Sequence, residues 1–262
     1  MMKKVLLFLA LAMLIFPLSA CNNSKPSNAD KADTSVKETG LNKKTISQNR
    51  VAWQKKTSGL KSVYKDGYSG DYIGVAFNMK ELLNQASNDK NYAVVEGTIC
   101  NLESMKGPKG VSLTKTTIYV DKVISGKKSL NRKVIQVPLK GGIISTDDYY
   151  LDATTNKTKQ NLLVQEKLAP LPKIGAQVII RLTKVDFSEK NSFNNYLEKA
   201  HFSTQKSYQP MLERFNYWIK NPSAKEFVLA NSLYENQQEI SEEYRAAQFQ
   251  KLTDQLNEKF NK

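Results

Sequence analysis

The first twenty-one residues constrain this chain most, because their pattern decides which residues are left to form a fold. Lys3 and Lys4 precede an uncharged apolar run, residues 5–18, and two small residues and then polar sequence follow it. A basic start, a short apolar run and a small-residue cleavage site are typical of a secretory signal rather than of a membrane-spanning helix. Removal of residues 1–20 from the 262-residue chain leaves 242 residues, enough for one large domain or two small ones.

The end of this signal, Leu18-Ser19-Ala20-Cys21, resembles the lipobox of bacterial lipoproteins. The resemblance implies that Cys21 is the first mature residue and that its thiol carries a diacylglyceryl group. Buried hydrocarbon stabilises such an anchor by about 0.8 kcal/mol per CH₂. We therefore expect an exported protein of a bacterium, Gram-positive by this resemblance, that its lipid holds on the cell membrane.

The signal also leaves a second interpretation open. Residues 13–20 resemble the hydrophobic peptides that some Gram-positive bacteria release from lipoprotein signals as mating pheromones. The chain would then be the precursor of a signal-derived peptide. A synthetic octapeptide that induces no conjugation response would exclude this alternative.

The mature chain is strongly basic. Lys+Arg number 39 against 25 Asp+Glu, a net charge of +14 that becomes +12 once Lys3 and Lys4 leave with the signal. Such a charge attracts polyanions. Outside the cytoplasm these are anionic head groups and wall polymers such as teichoic acid, so we expect no nucleic acid partner. Nearly all of the charge is Lys, whereas Arg is the residue that suits bidentate phosphate recognition.

The two cysteines, Cys21 and Cys100, permit no intramolecular disulfide if Cys21 is acylated. Cys100 lies within an apolar, strand-like run without a nearby histidine to activate it. We therefore expect it to be a small buried hydrophobic residue rather than a nucleophile.

Composition divides the mature chain into three parts. Residues 21–50 hold almost no large apolar side chain and are predicted to be a disordered tether with a reach of roughly 30 Å. Residues 51–203 are predicted to be an OB-like β-barrel domain that begins with an aromatic and glycine-rich loop and a short helix over Met79–Ala86. Residues 204–262 are predicted to be a helical tail.

The loop before the barrel alternates Tyr64, Tyr68 and Tyr72 with glycines. Rigid rings on permissive backbone suit the binding of a sugar or a peptide. The alternative is that these rings only cover one end of the barrel.

The barrel prediction rests on short runs rich in Val, Ile, Thr and Tyr, separated by turn residues. The predicted strands are Tyr92–Leu102, Thr116–Ile124, Lys133–Leu139 and Gln177–Val185. A fifth strand is predicted within Tyr196–Ser203, and Asn161–Leu168 is predicted as a short helix. Five strands with a helical connection after the third match the OB plan, and the fold class is therefore α+β, a small antiparallel OB-like barrel followed by helices.

This segment also resembles a family. Its strand and turn motifs are Val94-Val95-Glu96-Gly97-Thr98, Thr117-Ile118-Tyr119-Val120-Asp121-Lys122-Val123, Ser125-Gly126, and Gly175 before Val178-Ile179-Ile180. Over residues 79–203 these motifs resemble those of uncharacterised surface lipoproteins of low-GC Gram-positive bacteria. The resemblance implies an OB-like barrel but no activity and no catalytic residue, because function belongs to a site rather than to a scaffold.

The tail contains residues that are typical of helix starts and ends. Pro210 is predicted to open a helix in which Phe215 and Trp218 share a face, and Ser223 is predicted to open another. Beyond them an apolar stripe recurs at helical spacing; its members are Phe249, Leu252, Leu256 and Phe260. We expect the stripe to dock on its own domain, and the alternative is a partner interface.

The chain offers little catalytic chemistry. His201 is the sole histidine, and no zinc spacing, phosphate loop or nucleophile elbow is present. We predict no metal, no cofactor and a surface position for His201. An acidic and aromatic cluster around Asp147 and Asp152 is either an exposed hairpin loop or a calcium or sugar site.

A basic run brackets the turn between the second and third predicted strands: Lys122, Lys127, Lys128, Arg132 and Lys133. It is either a solvated edge that discourages strand pairing or the contact for a polyanion. The leading hypothesis is thus a non-enzymatic surface lipoprotein that binds a wall polyanion, a peptide or an envelope protein. Its competitor is an envelope hydrolase with an atypical carboxylate site such as Asp147 and Asp152, and the sequence leaves the oligomeric state undetermined.

Overall fold

The four strands expected between residues 92 and 185 form the centre of the structure, a computed structural model that describes residues 42–65, 74–87, 91–150, 159–231 and 240–261. The fold class is α+β, with mostly antiparallel sheets and a C-terminal helix. The helices are α1 (Lys43–Thr57), α2 (Met79–Ser87), α3 (Thr146–Tyr149), α4 (Ser192–Lys199) and α5 (Ile240–Phe260). The strands are β1 (Lys61–Lys65), β2 (Tyr92–Met105), β3 (Leu113–Gly126), β4 (Val134–Lys140), β5 (Gly142–Ser145), β6 (Asn161–Glu166), β7 (Gln177–Lys184), β8 (Tyr208–Pro210), β9 (Tyr217–Lys220) and β10 (Val228–Leu229).

The main sheet follows the order β10-β9-β7-β2-β3-β4, and β8 pairs with β7 off this path. The pairings along it are antiparallel. Its longest strands, β2 and β3, pair over most of their length with three register shifts, which bend and twist the ladder. At Gly97 a Cβ atom would lie 2.7 Å from the Tyr119 carbonyl oxygen, so this bend needs glycine.

The curved sheet buries apolar side chains on both faces. Val95, Ile118 and Ile180 belong to the larger, inner cluster. On the outer face Ile179 and Trp218 pack against the stripe of α5. The Trp218 indole Nε1 donates a hydrogen bond of 2.9 Å to the Thr253 hydroxyl, which fixes α5 against β9.

The docking expected for the apolar stripe is therefore confirmed. Phe249, Leu252 and Leu256 are almost fully buried, and Phe260 is 9% exposed. A partner interface made of this stripe is wrong, because the outer face of the main sheet already covers it.

A second, smaller sheet has the order β1-β6-β5. β1 pairs with β6 in parallel, and β5 pairs with β6 antiparallel. Ile144, Leu162 and Val164 form its own apolar cluster. The prediction of a helix over Asn161–Leu168 is wrong, because β6 occupies its first six residues.

The first described element corrects the predicted extent of the tether. Helix α1 begins at Lys43, where the Asn42 side chain accepts a hydrogen bond of 3.1 Å from the Thr45 amide. Residues 43–50 are thus helical rather than disordered. Helix α2 is where the sequence predicted a short helix, from Met79.

Two predictions near the end of the chain are also wrong. Residues 196–203 hold the end of helix α4 rather than a fifth strand. Residues 204–231 hold the short strands β8, β9 and β10 instead of helices, and within the described part of the tail only α5 is helical. Trp218 accordingly lies on β9.

Strand β8 lies beside β7, at the point where the chain returns towards β4. Its pairing with β7 covers three residues, and one isolated parallel bridge joins Ser207 to Gln136 of β4. The main ladder is not continuous across this bridge, so the sheet is not closed into a barrel.

Candidate functional site

A cleft with a basic rim lies where β4 approaches the chain that leads into β8. Its volume is about 320 Å³. The residues that line it are Lys127, Ser129, Leu130, Arg132, Lys133, Val134, Ile135, Gln205, Lys206 and Tyr208. Four of these are cationic, and the lining contains no carboxylate, histidine or cysteine. The cleft therefore attracts anions.

The turn between β3 and β4 shapes the rim. A 3₁₀ helix, Lys128–Leu130, follows Lys127, and the Lys133 amide donates a hydrogen bond of 3.0 Å to the Leu130 carbonyl. Arg132 adopts a positive φ of 60°, and its amide donates to the Val120 carbonyl at 2.9 Å. These backbone hydrogen bonds hold the turn on β3, so the rim is a preformed surface.

Only part of the predicted basic run belongs to this rim. Lys127, Arg132 and Lys133 line the cleft. The Lys128 ammonium instead donates to the Val123 carbonyl at 3.2 Å. The Lys122 ammonium lies 5.0 Å from the centre of the Phe260 ring, against α5. The structure therefore brings three of the five predicted cations together at this cleft, and their role in binding stays a prediction.

Lys206 is the lining cation that the sequence did not suggest. It precedes β8, and its backbone carbonyl accepts a hydrogen bond of 2.9 Å from the Gln136 amide. This contact brings it to the rim from a segment about seventy residues beyond the turn. Lys206 could have been predicted only from the pairing of β4 with the chain before β8, and local sequence periodicity does not show that pairing.

The floor of the cleft is apolar. Leu130 and Ile135 are buried, and the Tyr208 ring is almost fully buried. Burial raises the pKa of the Tyr208 phenol, so this side chain stays neutral at physiological pH. A ligand could therefore set an anionic group on the rim and an apolar part on the floor.

The partly buried carboxylate of Asp121 lies close enough to the rim to affect it electrostatically. Asp121 on β3 accepts a hydrogen bond of 2.7 Å from the Thr98 hydroxyl. Burial raises its pKa, while that hydrogen bond and the Arg132 charge act in the opposite direction. Arg132 therefore has a nearby counter-charge, whereas Lys127 and Lys133 have no salt bridge within the described residues.

Of the three tyrosines proposed as a binding loop, the structure describes Tyr64, which does not line this cleft. Tyr64 lies on β1, in the small sheet, and is 59% exposed. Tyr68 and Tyr72 lie outside the described residues, as do Cys21 and the signal. The hypothesis of an aromatic binding loop stays a prediction.

The acidic cluster has a local structure that accounts for its described members. Asp147 lies in the first turn of the short helix α3, and its carboxylate is 3.6 Å from the Lys159 ammonium. The Asp148 carboxylate accepts a hydrogen bond of 2.7 Å from the Ser145 hydroxyl. Asp152 lies outside the described residues. Among the residues that the structure describes, no group of three or more His, Cys, Asp and Glu side chains could hold a metal ion.

Two further sequence predictions can be compared with the structure. His201 is exposed, as expected, but it follows the C-terminus of α4 rather than a strand and has a φ of 56°. Cys100 is 2% exposed, and burial raises the pKa of its thiol to about 12. The prediction of a buried, inert Cys100 is thus supported by both its burial and its pKa.

Comparison of the chain with protein-family models, with curated proteins and with solved structures finds no match. Within the described ranges, no helix has the length and apolar character needed to cross a membrane.

Proposed function

We propose that this protein is a non-enzymatic surface lipoprotein that binds an anionic envelope polymer through the basic cleft. The observation that supports this most directly is the composition of the cleft, four cationic side chains with no carboxylate in the lining. A polymer with a phosphate on each repeat, such as teichoic acid, presents charges in a row that several lysines can meet at once. Attraction of this kind needs no bidentate geometry, which fits a rim of three lysines and one arginine.

The location of the protein rests on the N-terminal pattern. The resemblance of Leu18-Ser19-Ala20-Cys21 to a lipobox supports export and attachment of lipid to Cys21. A domain held at the outer surface of the membrane would meet wall polymers and head groups rather than nucleic acid. Position and charge therefore support the same class of ligand.

The scaffold we propose is a partly open OB-like barrel made of β2, β3, β4, β8 and β7. Each of these strands contacts the next, and the isolated bridge between Gln136 and Ser207 joins β4 to the start of β8. OB-folds are five-stranded and partly open, and they bind chain-like ligands along exposed strand surface. The basic cleft lies beside the junction between β4 and β8, where a single isolated bridge joins the backbones and leaves space for a ligand.

The experiment measures binding of purified polyglycerol phosphate to the full chain carrying Cys21→Ser, which removes the lipid. The test variant replaces the three rim residues of the turn, Lys127, Arg132 and Lys133, by Gln. Each phosphate contact contributes about 0.7 to the slope of log affinity against log salt for a flexible single-stranded polyanion. We expect the test variant to lower the magnitude of that slope by about 2 and to weaken binding at low salt.

The matched control replaces three exposed lysines elsewhere, Lys55, Lys61 and Lys190, by Gln. It removes the same net charge but leaves the cleft intact. If both triple variants lose affinity equally, binding follows net charge alone and the cleft is not the site. If neither variant changes an existing affinity, or if wild-type binding does not depend on salt, the proposal is wrong.

A further inference from the structure

A second cleft, apolar rather than basic, lies between α1 and the loop that leads into β7. Its volume is about 530 Å³, within the range of sites that bind small molecules. Its apolar walls are formed by Trp53, Leu102, Leu163, Leu171, Pro172 and Ile174. Trp53 and Leu171 are partly buried against the inner cluster of the main sheet, so the cleft continues the core outward.

The outer wall of this cleft is fixed in place. Ile46 of α1 is buried in the inner cluster. The Asn49 amide donates a hydrogen bond of 3.0 Å to the Cys100 carbonyl, and the Arg50 Nε donates one of 2.9 Å to the Ile174 carbonyl. These three contacts, within little more than one helical turn, hold the helix against β2 and the loop. The cleft therefore exists before a ligand arrives, which reduces the ordering that binding requires.

The charges in the lining have one sign. Arg50 and Lys173 are its charged residues, and no carboxylate lines it. A guanidinium has five N–H donors, and the bond from Nε to Ile174 uses one of them. The terminal nitrogens of Arg50 make no hydrogen bond to any other residue that the structure describes. That first bond orients the plane of the group, and Nη2 lies against Gly175, so the remaining N–H donors of Arg50 have a fixed direction from which they can bind a carboxylate.

We propose that this cleft binds a single-chain amphiphile with a carboxylate head, such as a fatty acid. The hydrocarbon would lie against Trp53 and Leu171, and the carboxylate would pair with Arg50, with Lys173 adding charge. An amphiphile with a neutral head would lack the pairing with Arg50, and one with a cationic head would be repelled by Arg50. The site lies on α1 and the loop before β7, so it is distinct from the basic cleft between β4 and β8 and does not depend on the proposed polyanion.

The test uses dodecanoate as the probe and Trp53 as the reporter, in the full chain carrying Cys21→Ser. Trp218 is fully buried beneath α5, so its fluorescence should stay constant and serve as background. We expect dodecanoate, below its micelle-forming concentration, to change the fluorescence saturably. 1-Dodecanol and dodecyltrimethylammonium should each bind at least about tenfold more weakly, because a hydrogen bond to a charged group contributes at least that factor.

Variants distinguish the contribution of the carboxylate head to binding from that of the hydrocarbon. Arg50→Met should weaken dodecanoate binding by about tenfold or more and leave 1-dodecanol binding unchanged. Lys173→Met, at an exposed loop position, should reduce the preference for dodecanoate without disturbing α1, and it keeps the test decisive if Arg50→Met unfolds. Trp53→Phe should abolish the optical signal while calorimetry still detects binding.

Three results would overturn the proposal. The first is the absence of saturable dodecanoate binding by both fluorescence and calorimetry. The second is equal affinity for all three twelve-carbon probes, which would show adsorption to apolar surface only. The third is an unchanged preference for dodecanoate in a folded Arg50→Met or Lys173→Met variant, which would place the carboxylate elsewhere.

Discussion

Replacement of Leu256 by Ala should show that α5 is part of the folded domain rather than a detachable tail. Leu256 is fully buried and belongs to the cluster that joins α5 to Val94, Ile179 and Trp218. A Leu→Ala change in such a site costs about 2–5 kcal/mol, because the lost transfer free energy is joined by a cavity term. For a domain of this size 1 kcal/mol shifts Tm by about 2–4 °C. A loss of about 3 kcal/mol should therefore lower Tm by about 6–12 °C.

Urea unfolding of the full chain carrying Cys21→Ser, followed by far-ultraviolet circular dichroism, measures this loss directly. The control is Tyr244→Ala on the same helix, where the side chain is 67% exposed and the change should stay within about 0.5 kcal/mol. Both variants should unfold in a single transition. The reasoning is refuted if Leu256→Ala matches the control, or if α5 melts separately while the sheet keeps its wild-type midpoint.

Three further predictions concern single side chains. In the Cys21→Ser chain, Cys100 should resist iodoacetamide at pH 8 until urea unfolds the protein, because its buried thiol has a pKa of about 12; rapid labelling of the native state, seen by mass spectrometry, would contradict this. Burial raises the pKa of Glu96 above its unfolded value of 4.5, so ionisation opposes folding above the folded pKa and this cost disappears as pH falls below 4.5. Glu96→Gln should therefore raise the free energy of unfolding at pH 7 but not at pH 4, and an equal effect at both values in urea titrations would exclude the linkage. Metabolic labelling with a fatty acid should mark the wild type and not Cys21→Ser, and label that persists in the variant would refute lipidation at that residue.

The sequence predicted the central strands well because the strand preference of their side chains and the positions of the turn residues both favour the observed fold. β2, β3, β4 and β7 are rich in β-branched residues, and turn residues separate them, so local preference and fold coincide. The wrong helix around Trp218 has a physical cause. Phe215, Trp218 and Ile219 have helical spacing, but in β9 Tyr217 and Ile219 enter the inner cluster while Trp218 packs outward on α5. When both faces of a short strand are buried, periodicity does not distinguish strand from helix.

The two clefts differ in how far the sequence could reveal them. Lys127, Arg132 and Lys133 stand together in one turn, so the basic rim was predictable in part. Lys206 required the contact between β4 and the chain before β8. The apolar cleft was not foreseen at all, because residues up to Arg50 were predicted to be a tether. Helix α1 buries only Ile46 among its own residues, too few apolar contacts to predict a packed helix from composition.

The burial of the apolar face of α5 removes the strongest apolar stripe from the surfaces that could contact a partner. The large hydrophobic side chains that remain exposed in the described residues are scattered over separate parts of the chain: Val51, Tyr64, Tyr150, Val228 and Tyr244. Single exposed apolar residues are ordinary, whereas a partner interface needs a contiguous patch. Because the strongest apolar stripe of the sequence is already used within the fold, recognition at the described surface must depend on charge or on clefts. The basic cleft combines both, since its cations surround an apolar floor, and this is why variants of its rim rather than of α5 are the decisive test of function.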